Sequence, residues 1–212
     1  MTAVSLCVVP ALHAEDLKLN NETTVSFASQ EQAKALLGVE DDFIKSLSPF
    51  DRSARMKTDR EVTHEQFLKF VAANALDSKP EEQRAVEAAI KAIAPTVAKL
   101  NLKFPKSVLM VKTTGKEEGG ASYTRGSAII LPQDVLSSGR GELEHTVAHE
   151  LFHILTRNHP ELRDALSRKE KKNRGDYSTC INLLPSYPVV SLLRIGTSFL
   201  EKGFYLPWMA LV

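Results

Sequence analysis

The sequence predicts an α+β fold in which N-terminal helices precede a small mixed sheet with an edge strand and a central helix near residue 150. Three observations lead to this prediction. Apolar residues recur at helical spacing in the first half of the chain, two β-type runs follow, and a further stretch of helical periodicity comes after them. With 212 residues and 43% hydrophobic content, the chain is long enough to bury a sizeable core.

Residues 1–14 have the pattern of a secretory signal peptide. Residues 3–12 are uncharged and mostly apolar, and His13-Ala14 then precedes the acidic pair Glu15-Asp16. This order is typical of the apolar core and cleavage region of a signal peptide, although no positively charged segment precedes it. A buried N-terminal strand is the alternative. We therefore expect a secreted or periplasmic protein whose mature chain keeps one cysteine, Cys180.

Residues 15–104 are predicted to form a helical scaffold region. Pro80 predicts the first turn of one helix, because proline is favoured at that position. Residues 48–51, with the sequence Ser-Pro-Phe-Asp, predict a turn between two earlier helices. Two pairs have the spacing of a capping box and predict the starts of those helices: Ser29 with Gln32, and Thr63 with Gln66.

Two β-type runs predict the sheet, at residues 107–111 and 127–132. The glycine-rich and charged segment 115–120 between them is predicted to be a turn. Pro132 and the polar stretch before the second run favour an edge position, because proline cannot donate a hydrogen bond within a sheet. We therefore predict that residues 127–131 form the edge strand of the sheet.

His149, Glu150 and His153 form an HExxH motif. Apolar residues recur at helical spacing over residues 141–156, so the motif lies on a predicted helix that ends before Pro160. Residues four apart share a helix face, so the two imidazoles converge on a point where a zinc ion can bind. Glu150 is placed to take a proton from a water molecule on the metal. The motif therefore predicts a hydrolytic zinc site.

This motif and its helix resemble the zincin superfamily of metallopeptidases, most specifically over residues 142–160 and less so back to about residue 105. The resemblance implies a zincin-like catalytic core at residues 105–178, in which His149 and His153 hold Zn²⁺. It also implies that Glu150 is the general base in the hydrolysis of a peptide bond. Zincins bind substrate peptides as an extra strand on an edge strand upstream of the metal helix, and this is the role expected of residues 127–131.

The third zinc ligand stays open among three residues. His159 occupies the position of the last histidine in the HExxHxxGxxH pattern, but a threonine replaces the glycine of that pattern. Asp164 matches the spacing of aspartate-ligated zincins, and Glu170 lies near the range of glutamate-ligated ones. We rank His159 first, then Asp164, then Glu170. His145, one turn before the motif, is predicted to be a polar residue near the helix start or a group that contacts substrate.

Charge and hydropathy exclude several other classes of function. The net charge is +1 and the acidic and basic residues are interleaved, so the chain lacks the basic surface typical of nucleic-acid binding. The basic run at residues 168–174 is predicted to be a solvated loop. No apolar stretch reaches the length of about 18 residues needed to span a membrane. The expected partner is a peptide or protein substrate, and the sequence does not determine the oligomeric state.

Residues 179–212 form an apolar C-terminal segment. Ten charged residues lie in residues 161–177, whereas residues 181–212 contain three. Three interpretations stay open: a lobe that closes the cleft, a docking surface, or a tail that departs from its relatives and lacks the third zinc ligand.

Two other classes of function compete with a peptidase. The first is a zincin-like protein that binds metal or peptide without catalysis. The second is a structural domain in which His149 and His153 are ordinary buried histidines.

Overall fold

The computed structural model describes residues 17–100, 103–161 and 164, and in that part of the chain it combines a small mixed sheet with seven helices. This mixture of helices and strands, with a mixed sheet, agrees with the prediction. The predicted signal peptide at 1–14 and the C-terminal segment at 179–212 lie outside the described residues. None of the helices in the described ranges is both long and apolar enough to cross a membrane.

The central strand of the sheet is β4 (Ser107–Thr113). It pairs in parallel with β2 (Thr24–Phe27) on one side and with β6 (Ala128–Pro132) on the other. The outer strands are short and antiparallel to their neighbours: β1 (Leu17–Lys18) pairs with β2, and β5 (Tyr123–Arg125) pairs with β6. The strand order along the sheet is therefore β1-β2-β4-β6-β5.

The prediction that residues 127–131 form the edge strand is wrong, because β6 lies inside the sheet between β4 and β5. All five residues of β6 are buried, as expected for a parallel strand that is covered on both faces. Pro132 is tolerated because it is the last residue of the strand. The edge strand on this side of the sheet is β5.

The capping boxes and Pro80 correctly predicted three helix starts. α1 (Gln30–Leu37) follows Ser29, α4 (His64–Ala73) follows Thr63, and α5 (Pro80–Leu100) begins at its proline. In each capping box, the hydroxyl accepts the backbone N–H of the glutamine, and the glutamine side chain accepts the backbone N–H of the cap residue.

The predicted turn at residues 48–51 is instead the start of a helix, α3 (Pro49–Arg55). Ser48 caps this helix, Pro49 is its first residue and Asp51 completes a capping box. Serine, proline and aspartate favour both turns and helix starts, so their presence alone did not separate the two. A shorter helix, α2 (Asp42–Ser46), precedes α3.

Residues 15–104 also contribute three strands that the sequence analysis did not predict. Besides β1 and β2, β3 (Ala75–Leu76) pairs antiparallel with the end of β4. These strands are two to four residues long, which is too short to show an alternating pattern. The predicted scaffold region and the region of the HExxH motif therefore share one sheet.

Helices cover both faces of the sheet, and two hydrophobic cores result. On one face α5 and α7 (Arg140–Asn158) pack on the sheet, and on the other face α1 and α4 do so. Successive residues of β6 alternate between the two cores, as strand geometry requires. The buried apolar residues of β4 and β6 in the core of α5 and α7 are Val108, Met110, Ile129 and Leu131, and those in the core of α1 and α4 are Val111, Ala128 and Ile130.

A buried ion pair joins the first turn of α5 to β4. The Lys112 ammonium group donates to both carboxylate oxygens of Glu82, at 2.8 Å each, and Glu82 also accepts the backbone N–H of Lys79 at 2.8 Å. Only 5% of Lys112 and 9% of Glu82 are exposed. Because buried charges are tolerated only when they are paired and hydrogen-bonded, these contacts fix the position of α5 on the sheet.

We expect Lys112→Met to lower the free energy of unfolding by about 3 kcal/mol, because the Glu82 carboxylate is then buried without its cation. Denaturation by urea, followed by circular dichroism, measures this change. Lys69→Met is the matched control, since Lys69 pairs with Glu65 at 2.7 Å on the exposed surface of α4 and its loss should change stability little. Equal effects of the two substitutions would contradict the structural role of the buried pair.

Candidate metal and catalytic site

The candidate site lies on α7, which follows β6 after the short helix α6 (Gln133–Leu136). The helix ends at Asn158, as the position of Pro160 predicted. Its buried apolar residues pack against α5 and the sheet, and this packing fixes the rotation of the helix about its axis. These residues are Leu143, Val147, Ala148, Leu151, Ile154 and Leu155.

His149 and His153 lie close together, as the motif predicted. Their Nε2 atoms are 3.0 Å apart, and the two rings meet edge to face with centroids 4.6 Å apart. Two zinc–nitrogen bonds of about 2.0–2.1 Å at a tetrahedral angle hold their nitrogen atoms about 3.3 Å apart. The separation of the imidazoles is therefore close to that of two ligands on one zinc ion. In the absence of a metal it also suits an N–H···N hydrogen bond.

Burial keeps both imidazoles in the neutral form. Burial, with smaller contributions from His153 and His145, lowers the pKa of His149 to about 4. Burial also lowers the pKa of His153, and the positive charge of Arg157 acts in the same direction. Because a neutral imidazole has the free lone pair that a metal ion requires, both side chains are able to bind metal at neutral pH.

Glu150 is a buried carboxyl group without a full set of partners. Only 4% of the residue is exposed, and its Oε2 atom has no hydrogen-bond partner among the described residues. Burial raises the pKa of Glu150 to about 7, and the positive charge of Arg157 opposes part of this rise. A carboxyl group with a pKa near neutrality is suited both to accept and to release a proton. Buried groups of this kind concentrate at functional sites.

Arg157 connects α7 to the edge strand β5. It follows His153 by four residues and so lies on the same stripe of the helix. Its Nη1 donates to the backbone carbonyl of Gly126 and its Nη2 to the hydroxyl of Thr124, at 2.8 Å each. Arg157 was not among the site residues predicted from the sequence. The only signal in the sequence was the spacing of four residues that it shares with the three histidines before it.

His145 extends the row of histidines by one turn. Its ring centroid lies 6.5 Å from that of His149, and the two ring planes differ by 25°. The residue is half-buried. This position next to His149 agrees with a polar group at the margin of the site.

The structure does not bring His159 to the histidine pair. Its Nε2 lies 2.7 Å from the carbonyl oxygen of Lys103, and its Nδ1 lies 3.1 Å from a carboxylate oxygen of Glu161. Both ring nitrogens are therefore engaged outside the site. The residue caps the end of α7 and connects it to the chain that enters β4.

The other two candidates for a third ligand differ in whether the structure describes them. Asp164 is exposed, and Glu170 lies outside the described residues. Within residues 17–100, 103–161 and 164, no group of three His, Cys, Asp or Glu side chains is arranged to hold a metal ion. Of the predicted site residues, the structure thus brings His149 and His153 together, and it places Glu150 between them along the same helix.

Comparisons of the chain with protein-family models, with curated proteins and with solved structures found no match. The assignment of a function therefore depends on the geometry and chemistry of the site itself.

We expect Glu150→Met to raise the free energy of unfolding of the metal-free protein by about 1 kcal/mol, because an apolar side chain replaces a buried carboxyl group that lacks a partner. Thermal unfolding in the presence of EDTA measures the change. Glu144→Met, on the same helix, is the control, because Glu144 is bonded to Arg140 at 2.7 Å and its loss should not stabilise the fold. A less stable Glu150→Met protein would show that the native carboxyl group is satisfied after all.

Proposed function

We propose that this protein is a zinc-dependent peptidase of the zincin kind, in which Glu150 is the general base for peptide-bond hydrolysis. One arrangement supports the proposal above all others. Two imidazole Nε2 atoms lie 3.0 Å apart on one helix, and the carboxyl group between them in sequence is buried with an oxygen that has no hydrogen-bond partner among the described residues. The unpartnered carboxyl oxygen is costly for a purely structural domain, and both features are useful for hydrolysis.

This donor set fits zinc, and the HExxH motif favours zinc among the metals that imidazoles bind. Neutral imidazoles favour zinc over the hard ions calcium and magnesium, which take oxygen ligands. Catalytic zinc sites have three protein ligands and leave the fourth position for water or substrate. His149 and His153 would supply two of the three.

The third ligand would come from His159, Asp164 or Glu170. For His159 to bind the metal, its bond to the carbonyl of Lys103 must break. Losing one hydrogen bond costs about 1 kcal/mol. Zinc binding to a complete set of ligands releases roughly 10 kcal/mol or more. The free energy of metal binding is therefore large enough to redirect His159, so its present contacts are compatible with a role as ligand.

Glu150 and the two histidines have different roles in the proposed hydrolysis. When bound, zinc lowers the pKa of a water molecule and polarises the scissile carbonyl. The Glu150 carboxylate takes a proton from the attacking water and then donates it to the leaving nitrogen, so that the C–N bond breaks and a neutral amine departs. In the metal-free protein burial raises the pKa of Glu150, and a nearby zinc ion would lower it, which favours the carboxylate form that accepts the proton. The neutral imidazoles of His149 and His153 hold the metal without competing for that proton.

The edge strand β5 is the proposed binding strand for a substrate peptide. It replaces residues 127–131, which lie inside the sheet, in the role that edge strands have in zincins. Among the described strands, β5 pairs with β6 alone, and its other edge is where a peptide in extended conformation would add to the sheet. The contact of Arg157 with Thr124 and Gly126 holds β5 beside α7, the helix of the HExxH motif. The apolar residues 3–12 support the further proposal that the protein acts outside the cytoplasm.

A second candidate is a zincin-like protein that binds metal or peptide without cleaving it. The position of His159 favours this alternative, because both of its ring nitrogens have partners outside the site. Such a protein would bind zinc through His149 and His153 and bind peptide at β5. Its behaviour would not depend on a proton transfer by Glu150.

We expect the zinc-loaded protein to cleave fluorescein-labelled casein or members of a quenched fluorescent peptide library. Glu150→Gln should lower kcat by at least about a thousandfold and keep its zinc, since the amide cannot accept the proton and the histidines are unchanged. Glu144→Gln is the matched control on the same helix and should keep full activity.

Equal activity of wild-type and Glu150→Gln protein would contradict the proposed mechanism. Bound zinc with no cleavage of any probe would favour the non-catalytic alternative.

A further inference from the structure

The edge strand β5 is anchored to the N-terminal helices by Arg125. The guanidinium group of this buried residue donates to the carbonyl oxygens of Leu37 and Val39, at 2.9 and 2.6 Å, and pairs with Asp41 at 2.8 Å. These contacts hold one face of the strand to the loop between α1 and α2. Because successive strand residues point to opposite faces, the neighbouring Thr124 is directed to the other face.

The opposite face of β5 is anchored to α7 by Arg157. The two terminal nitrogens of its guanidinium group reach two acceptors, the hydroxyl of Thr124 and the carbonyl of Gly126, at 2.8 Å each. Gly126 lies in the turn to β6 and has a φ of +56°, so its backbone conformation is one that glycine adopts readily. A planar guanidinium fork suits two acceptors at once, and a lysine ammonium group at the end of a flexible stem does not replace it.

The position of Arg157 on α7 connects β5 with the helix that carries the HExxH motif. It lies one helical turn beyond His153 and two turns beyond Glu150, on adjoining stripes of the helix. A strand of three residues with one described neighbour in the sheet has few backbone bonds to hold it in place. Its distance from the HExxH residues therefore depends on side-chain contacts, and Arg157 makes those on the side of the site.

We propose that Arg157 is a positioning residue, which fixes the edge strand β5 against the HExxH helix so that a peptide added to this edge is presented to Glu150. The part that concerns the peptide rests on the proposed function, whereas the contact with β5 stands on the geometry alone. Arg157 positions the strand through Thr124 and Gly126, and it neither accepts nor donates the transferred proton.

A simpler role for Arg157 predicts a different result. A positive charge in the last turn of a helix interacts favourably with the helix dipole. Lysine would serve that purpose as well as arginine, because only the charge matters. Arg157→Lys therefore separates the two roles: it keeps the charge and loses the bidentate contact.

The experiment compares full-length, zinc-loaded wild-type protein with three variants, Arg157→Lys, Arg157→Met and Thr124→Val. Thr124→Val removes one acceptor and keeps the shape of the side chain, so it tests the contact without altering α7. Arg140→Lys is the matched control, because Arg140 is an exposed arginine at the other end of the same helix, bonded to Glu144 at 2.7 Å. Hydrogen exchange detected by mass spectrometry reports on residues 123–126. One fluorogenic peptide that the wild-type protein cleaves serves to measure kcat and KM. Zinc content is measured by elemental mass spectrometry.

We expect both Arg157 variants to exchange the amide hydrogens of residues 123–126 about tenfold faster than wild type, because the local opening of β5 becomes easier. In Arg157→Lys, which keeps the positive charge, KM should rise about fivefold while kcat falls less than about twofold, since the binding strand is loosened and Glu150 is unchanged. Thr124→Val should show smaller changes in the same direction. Arg140→Lys should match the wild type, and all variants should keep their zinc.

Normal exchange and normal KM in Arg157→Lys would overturn the proposal in favour of the helix-dipole role. Faster exchange with an unchanged KM would show that Arg157 fixes β5 but does not help to present a peptide to Glu150. Cleavage of the peptide by the same variants would then leave the proposed function intact. A wild-type protein that cleaves no peptide would overturn the proposed function and the presentation of peptide together, and hydrogen exchange would still decide whether Arg157 fixes β5.

Discussion

The packing of α7 against α5 and the sheet is the constraint on which the rest of the site depends. Six apolar residues of α7 are buried in this core, so the helix can adopt one rotation about its axis. With that rotation fixed, the four-residue spacing of the helix places His149, His153 and Arg157 along one stripe. The ion pair of Glu82 and Lys112 fixes α5 on the sheet, and α5 in turn supports α7.

Two buried carboxyl groups, those of Glu82 and Glu150, differ in how many hydrogen-bond partners they have. Glu82 receives three hydrogen bonds and a counter-ion, and it serves to join a helix to the sheet. Glu150 is buried to a similar extent, but one of its oxygens has no hydrogen-bond partner among the described residues. The first arrangement offsets the cost of burial, whereas the second leaves that cost in place. Glu117 is likewise buried with an Oε2 that has no partner among the described residues, so it is the place of Glu150 in the HExxH motif that connects its burial with the proposed hydrolysis.

Features set by local sequence were predictable, and features set by strand pairing were not. The capping boxes at Ser29 and Thr63 and the helix of His149 and His153 depend on residues within one or two turns, and the structure confirms them. The order of the strands depends on contacts distant in sequence, so residues 127–131 were wrongly assigned to the edge. The continuous apolar run of β6 was a sign of an internal strand. The contact of Arg157 with β5 spans more than thirty residues, beyond the reach of any local pattern.

The zinc content of the purified protein, measured by elemental mass spectrometry beside His153→Ala and His64→Ala, tests the central claim most directly. His64 is a matched control, because it lies on α4 and pairs with Glu40 at 2.6 Å on the surface. We predict about one zinc ion per chain in the wild-type protein and in His64→Ala, and its loss in His153→Ala. A folded wild-type protein without zinc, or a His153→Ala protein that retains it, would contradict the assignment of a metal site to this helix.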